Sequence, residues 1–146
     1  MTPLTIASIY VQAGTDAQAS FIRAAHSSAF AACSAAAAGV SSSSFAIWFG
    51  TSGTTPVSAA LSAAMAALQT PTTYSYDLHR RIVKADPFPG CALAMGYNTT
   101  TAIDVRISSE ILDLLVADPG LAARRLTLAI VHEVLRLTTP ALSDWI

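Results

Sequence analysis

The chain has 146 residues, of which 53% are hydrophobic and 12% are charged, and its formal net charge is −1. This length predicts one domain over residues 1–146, large enough to bury a core. The near-neutral charge excludes a broad nucleic-acid surface, because such a surface needs clustered basic residues and the longest basic group is Arg80-Arg81-x-x-Lys84. No window holds about 20 continuous strongly apolar residues, so we expect no membrane span.

The first long element is expected to be an alanine-rich helix over residues 17–38. Thr15 or Asp16 can cap its start, and Gly39 stands where a helix-ending glycine belongs. Residues 1–16, which precede this helix, are expected to form an N-terminal extension or an edge strand.

A loop and a second helix are expected next. The serine run 41–44 predicts a loop, and the stretch FAIWFGTSG that follows it predicts an extended piece or a tight turn. Thr55-Pro56 is typical of a helix start, because the hydroxyl can cap and proline is tolerated at the first helical position. We therefore expect a helix over about 56–69.

The middle of the chain has the composition of β-structure, with aromatic and β-branched residues between Pro, Gly and Asn breaks. The segment 86–90, with the sequence DPFPG, predicts a turn between two of the strands. The expected strands are Thr72–Leu78, Arg81–Ala85, Cys91–Tyr97 and Ala102–Ile107.

Two further helices are expected at the C-terminal end. Ser108 can cap a helix over 109–117 that ends at Asp118-Pro119-Gly120, and a last helix is expected over 121–138, before Pro140. Helices, a small sheet and then helices indicate the α+β class rather than a parallel α/β sheet.

The last helix contains the sequence VHEVLR, which differs by one residue from the His-Glu-x-x-His pattern of zinc hydrolases. In that pattern two histidines four residues apart lie on one helix face and bind zinc, and the glutamate acts as general base on the metal-bound water. Here the fifth position is Arg136. The alternative is structural: Glu133 pairs with Arg136 or Arg125, and His132 is a core histidine with a satisfied hydrogen bond.

The order of the elements resembles that of the fungal deuterolysin and peptidyl-lysine metalloendopeptidase family, the aspzincins. The matching segments are ASFIRAAHSSAFAACSAAAAG, FAIWFGT, PVSAALSAAMAAL, the region from YSYDLHRR to AIDVRIS, and RRLTLAIVHEVLRLT. They cover about residues 17–146. The resemblance implies a zincin-like fold with alanine-rich N-terminal helices, a small mixed sheet and a C-terminal zinc helix.

The family's ligands transfer to this chain only in part. The resemblance implies His132 as first zinc ligand, Glu133 as general base and Asp144 near the place of the third ligand. Arg136 takes the place of the second ligand, although a guanidinium stays protonated and does not bind zinc. The Gly-Thr before the third ligand is also absent, and the chain ends at Ile146, before the tyrosine that follows it in the family.

His132 and Asp144 alone would make a weak zinc site unless His26 or His79 also binds the metal. We therefore expect no cofactor, or zinc if there is one, and the loss of zinc-dependent proteolysis. In this interpretation Arg136 is a fixed cation that replaces the metal and pairs with Glu133 or Asp144.

Two functions without a conventional zinc site remain open from the sequence, and a third is a metal enzyme whose ligands are His132, Asp144 and a recruited histidine, His26 or His79. The first is a peptidase-like protein without peptidase activity that binds a protein or glycan, for example in defence, with tyrosines and Trp145 as contact residues. The second is a hydrolase with altered chemistry, for example on RNA or peptides, in which Glu133 is the base, His132 the acid and Arg136 the stabiliser of negative charge. In the second case His79-Arg80-Arg81 could add phosphate contacts.

Cys33 and Cys91 permit one disulfide or are two small buried residues. The family resemblance implies secretion, but the N-terminus lacks signal-peptide features, so a cytoplasmic protein or a processed secreted form is expected. The few charges also predict that some hydrophobic surface meets another chain, which would make the protein a homo-oligomer.

Overall fold

A computed structural model describes residues 8–38, 54–69, 72–78, 93–99 and 101–139. This part of the chain forms helices on a small mixed sheet, which confirms the predicted α+β class. The strands are β1 (Ser8–Gln12), β2 (Thr73–Asp77), β3 (Leu93–Thr99) and β4 (Ala102–Ile107). The helices are α1 (Asp16–Ala38), α2 (Thr54–Ala67), α3 (Ser109–Ala117) and α4 (Pro119–Thr138).

The sheet has the strand order β1-β2-β4-β3. β1 runs parallel to β2, and β2 runs parallel to β4, whereas β3 is antiparallel to β4. Two parallel strands need a long crossover connection, and the chain between β1 and β2 contains α1 and α2. The parallel pairing of β1 and β2 is therefore accounted for by the helices between them, and β3, which lies only two residues before β4 in the chain, makes the sheet mixed by pairing antiparallel.

The two faces of the sheet differ in polarity. Along β4, Ile103, Val105 and Ile107 are buried while Asp104 and Arg106 are exposed. Side chains alternate between the faces of a strand, so the apolar residues of β4 share one face. Tyr74 and Tyr76 of β2 lie beside Ile103 and Val105 in register and are also buried. The helices cover this apolar face, and the described residues of the fold form two layers.

Helix α4 is held by the core along much of its length. It lies against α1, α2, α3 and β3. Its buried apolar residues include four that recur at intervals of four, as expected for one face of a helix, together with a neighbour in the last turns, and they are Ala122, Leu126, Ile130, Val134 and Leu135. Apolar packing against these elements therefore fixes the position of α4 in the fold.

The connection between β1 and α1 is tight. Ala13 has a φ of 64°, a left-handed backbone conformation that costs a non-glycine residue about 1–2 kcal/mol. A Cβ on Gly14 would lie 2.7 Å from Leu78 Cδ1, so a larger residue at this position would require the buried Leu78 side chain to move. Helix α1 then begins with a capping box, in which the backbone N–H groups of Gln18 and Thr15 each donate to the other's side chain.

The boundaries of three elements differ by two residues from the sequence-based prediction, and those of α1 and β2 differ by one. Helix α4 begins at Pro119 rather than at 121, because the Asp118 side chain accepts a hydrogen bond from Leu121 N at 3.2 Å and proline fits the first turn. Helix α2 covers 54–67 instead of 56–69, and β3 covers 93–99 instead of 91–97. The loop at 41–44, the aromatic stretch after it, the strand at 81–85 and the turn at 86–90 lie outside the described residues.

No helix in the described ranges is long and apolar enough to cross a membrane, as the sequence predicted.

Candidate functional site

The candidate site residues lie on the C-terminal half of α4, where the buried face of the helix meets its solvent-exposed face. Glu133 follows Leu126 and Ile130 at helical spacing, and its side chain is only 7% exposed. The side chains of His132 and Arg136 are 38% and 49% exposed. A carboxylate at such a buried position is costly without charged or hydrogen-bonding partners, so its contacts define the site.

One oxygen of Glu133 faces two nitrogen-bearing side chains. Arg136 Nη1 donates a hydrogen bond to Glu133 Oε1 at 3.4 Å. His132 Nε2 lies 3.9 Å from the same oxygen. The structure thus forms the Glu133–Arg136 pair that the sequence left as one of several alternatives, and His132 is partly exposed rather than a core histidine.

These side chains do not fit a zinc ion. The position that would supply the second zinc ligand holds Arg136, a permanent cation that already contacts the carboxylate expected to act as base. Within the ranges that the structure describes, no group of three or more His, Cys, Asp or Glu side chains could hold a metal ion. Asp144 and His79, named above as potential ligands, lie outside those ranges, as do Arg80, Arg81 and Trp145.

His26, the other potential ligand, lies in the core. Its side chain is fully buried on α1, and Nε2 donates a hydrogen bond to the Leu68 carbonyl at 3.2 Å. The ring packs edge-on against Tyr74, with centroids 4.6 Å apart. Burial lowers the pKa of His26, and the bond to Leu68 opposes this only in part. His26 is therefore a neutral core residue that links α1 to the end of α2 and to β2.

The sequence analysis missed a group of buried polar side chains around His26. Tyr74 Oη donates to the Ala67 carbonyl at 2.7 Å, whereas Tyr76 Oη and His26 Nδ1 are buried and have no hydrogen-bond partner among the residues that the structure describes. Burial raises the pKa of both tyrosines. The helical spacing of Ile22, His26 and Phe30 was a signal for this cluster, because it places His26 in an apolar stripe.

Cys33 of α1 is a buried free thiol, and burial raises its pKa to about 11. Of the two interpretations that the sequence allowed for it, the structure shows the small buried residue. Cys91 lies outside the described residues.

Comparison of the chain with protein-family profiles, with curated protein sequences and with solved structures found no match.

Proposed function

We propose that this protein is an aspzincin-like, zincin-like domain that does not carry out zinc-dependent proteolysis and acts as a binding protein for a protein or glycan ligand. The observation that carries the proposal is the 3.4 Å contact between Arg136 Nη1 and Glu133 Oε1. This contact supports the proposal in two ways. The residue at the position of the second zinc ligand is a guanidinium, and the carboxylate that a zinc peptidase needs as a free base is in contact with it.

The chemistry of a zinc peptidase needs the glutamate to accept a proton from a metal-bound water. In this chain the corresponding oxygen accepts a hydrogen bond from a guanidinium. A guanidinium does not lose its proton at physiological pH, so it can neither bind zinc nor take a proton from water. Arg136 instead supplies a fixed positive charge beside the carboxylate.

The architecture supports the family resemblance without needing the metal. The described elements follow the expected order of an alanine-rich helix, a second helix, a small sheet and the His-Glu helix. Helix α4 is held by buried Leu126, Ile130 and Val134. A domain of this kind can keep its fold after the metal ligands are lost, because apolar packing positions the helix.

Exposed side chains on α4 and on the neighbouring strand β3 are suited to contact a protein or glycan ligand. His132 and Arg136 keep contact with water, and Tyr97 on the neighbouring strand β3 is exposed. Tyrosine and arginine are the residues most often found at binding surfaces, because each offers a large planar contact together with hydrogen-bond donors. We propose Tyr97 and Arg136 as contact residues for the ligand.

The test combines metal analysis, hydrolysis and binding on one preparation. The protein is purified without added metal, its zinc content is measured by elemental analysis, and casein hydrolysis is assayed with and without zinc. We expect less than stoichiometric zinc and no hydrolysis. Stoichiometric zinc together with hydrolysis that disappears in Glu133→Gln would overturn the proposal.

Binding is then measured on a glycan array and in a protein pull-down, with Tyr97→Ala as the variant. We expect a specific ligand whose binding is weakened by Tyr97→Ala. Tyr10→Ala is the matched control, since Tyr10 is an exposed tyrosine on β1, at the opposite end of the sheet from β3.

A second candidate is a hydrolase that uses His132, Glu133 and Arg136 without the usual metal. It is favoured by the convergence of both nitrogen-bearing side chains on Glu133 Oε1, at 3.4 and 3.9 Å. Glu133 would be the base, His132 the acid and Arg136 the group that stabilises negative charge on a phosphodiester. RNA hydrolysis that is present in the metal-free protein and absent in Glu133→Gln would favour this candidate over the binding protein.

A further inference from the structure

The solvent-facing sides of α3 and α4 carry charges of opposite sign. On α3, Asp113 is exposed, and Glu110 one turn before it is also exposed. On α4, Arg124 and Arg125 are exposed. The two helices are consecutive, are joined through Asp118 and pack against each other. An acidic helix face and a basic helix face therefore belong to one helical hairpin.

Each of these faces also presents a large apolar side chain to water. Val116 on α3 is 86% exposed and Leu128 on α4 is 56% exposed, and they are two of the four exposed large hydrophobic residues in the described ranges. Residues three or four apart lie on the same side of a helix. Val116 therefore lies beside Asp113, and Leu128 lies beside both arginines, so the two helices show the same arrangement with opposite charge.

We propose that a second copy of this chain covers this surface in a twofold-symmetric dimer. We call it the α3/α4 surface and define it by Asp113, Val116, Arg124, Arg125 and Leu128. In the dimer, α3 of one protomer lies on α4 of its partner. Twofold symmetry makes every such contact occur twice, so a surface with both an acidic and a basic part is complementary to itself.

Charge complementarity favours a second copy over an unrelated charged partner. Like charges placed together at an interface are strongly unfavourable. A purely acidic partner would place a like charge against Asp113, and a purely basic partner would place one against Arg124 and Arg125. Within the described residues, none of these three side chains forms an ion pair in the monomer. All three are available to a partner, and Val116 and Leu128, each beside charged residues of its own helix, add apolar contact area.

The test measures self-association of the full chain by sedimentation velocity over a roughly hundredfold range of concentration. We expect a monomer–dimer equilibrium whose dissociation constant increases with salt, because exposed charges are screened. Arg125→Asp and Asp113→Arg should each weaken the dimer by roughly tenfold or more, since each places like charges together. The double variant, which exchanges the two signs, should restore most of the affinity.

Arg106→Glu is the matched control, since it reverses an exposed arginine on the open face of the sheet and should leave the dissociation constant unchanged. Circular dichroism of each variant separates loss of association from loss of folding. A wild-type protein that stays monomeric throughout would overturn the proposal. So would a dimer that tolerates both single variants, or a double variant that fails to recover. None of these outcomes bears on zinc content or hydrolysis, so the dimer and the proposed function fail independently.

Discussion

Two polar regions in the described part of the chain each contain a histidine, and the two regions differ in their access to water. In the core, His26 is fully buried between a carbonyl of the chain after α2 and the Tyr74 ring. On α4, His132 and Arg136 flank Glu133 and keep 38% and 49% of their side chains exposed. The residues with the spacing of a zinc-peptidase helix are therefore not those in the most restrictive environment. That environment belongs to His26. Water can solvate the charge of an exposed α4 side chain such as Arg136, whereas it cannot reach a charge on the buried His26 ring.

The largest expected effect is a loss of stability on acidification, caused by His26. Burial lowers the pKa of His26 in the folded state, so below the ordinary value of 6.5 the unfolded chain binds the proton first. The contribution of His26 to the unfolding free energy is therefore fully present above that value and is lost as the pH decreases below it. We expect His26 to remove up to about 2 kcal/mol of unfolding free energy between about pH 7.5 and about pH 5. Urea unfolding at the two pH values measures this loss.

The variant His26→Gln should be less stable at neutral pH and should lose the part of the pH dependence that His26 causes. His132→Gln is the control, because it makes the same substitution at a histidine whose side chain is 38% exposed. An equal pH dependence of the unfolding free energy in wild type and His26→Gln would contradict this prediction, because it would mean that His26 binds a proton as readily in the folded state as in the unfolded state.

A smaller effect on the unfolding free energy is expected when the hydroxyl is removed from either core tyrosine of β2. The two tyrosines differ in hydrogen bonding, so their variants should differ in stability. Tyr74→Phe should cost about 1–2 kcal/mol, because it leaves the Ala67 carbonyl without the hydroxyl that donates to it at 2.7 Å. Tyr76→Phe should cost nothing or stabilise the protein by up to about 1 kcal/mol, because its buried hydroxyl has no partner. Thermal and urea unfolding of the two variants measure the difference, and a larger loss for Tyr76→Phe would contradict this account of the core.

The smallest effect is expected at the surface. Arg136→Ala should change the unfolding free energy by less than about 1 kcal/mol, because an ion pair with one half-exposed partner gains little in water. The loss should shrink further at high salt. Arg124→Ala, an exposed arginine on the same helix, is the control for helix propensity. A loss of several kcal/mol specific to Arg136 would mean that the pair behaves as a buried one.

Much of the fold followed from local rules. The β-branched residues of the segment 102–107 predicted β4, and the caps at Thr15 and Ser108 predicted where α1 and α3 begin. These features depend on residues near in sequence, which is why they could be recognised. The start of α4 was misplaced because Asp118-Pro119-Gly120 is typical both of a helix end and of a capped helix start, and the cap formed.

The candidate site was predictable to a similar degree. The spacing of Glu133 and Arg136 puts them one turn apart, so their contact was among the alternatives that the sequence allowed. The half-exposure of Arg136 was not predictable, because it depends on what packs over the end of α4. The opposite charges of α3 and α4 were present in the sequence, but their exposure beside Val116 and Leu128 appears only in the fold.

By itself, the sequence determined the α+β class, the approximate limits of most described helices and strands, and the chemical identity of Arg136 at the position where a zinc ligand is expected. Tertiary structure alone decided the strand order β1-β2-β4-β3, the burial of His26 against Tyr74 and the Leu68 carbonyl, and the exposure of the α4 side chains. The physical reason is the range of the interactions. Caps, turns and side-chain periodicity act over a few residues, whereas strand pairing and burial join segments that are tens of residues apart and depend on how the whole chain packs.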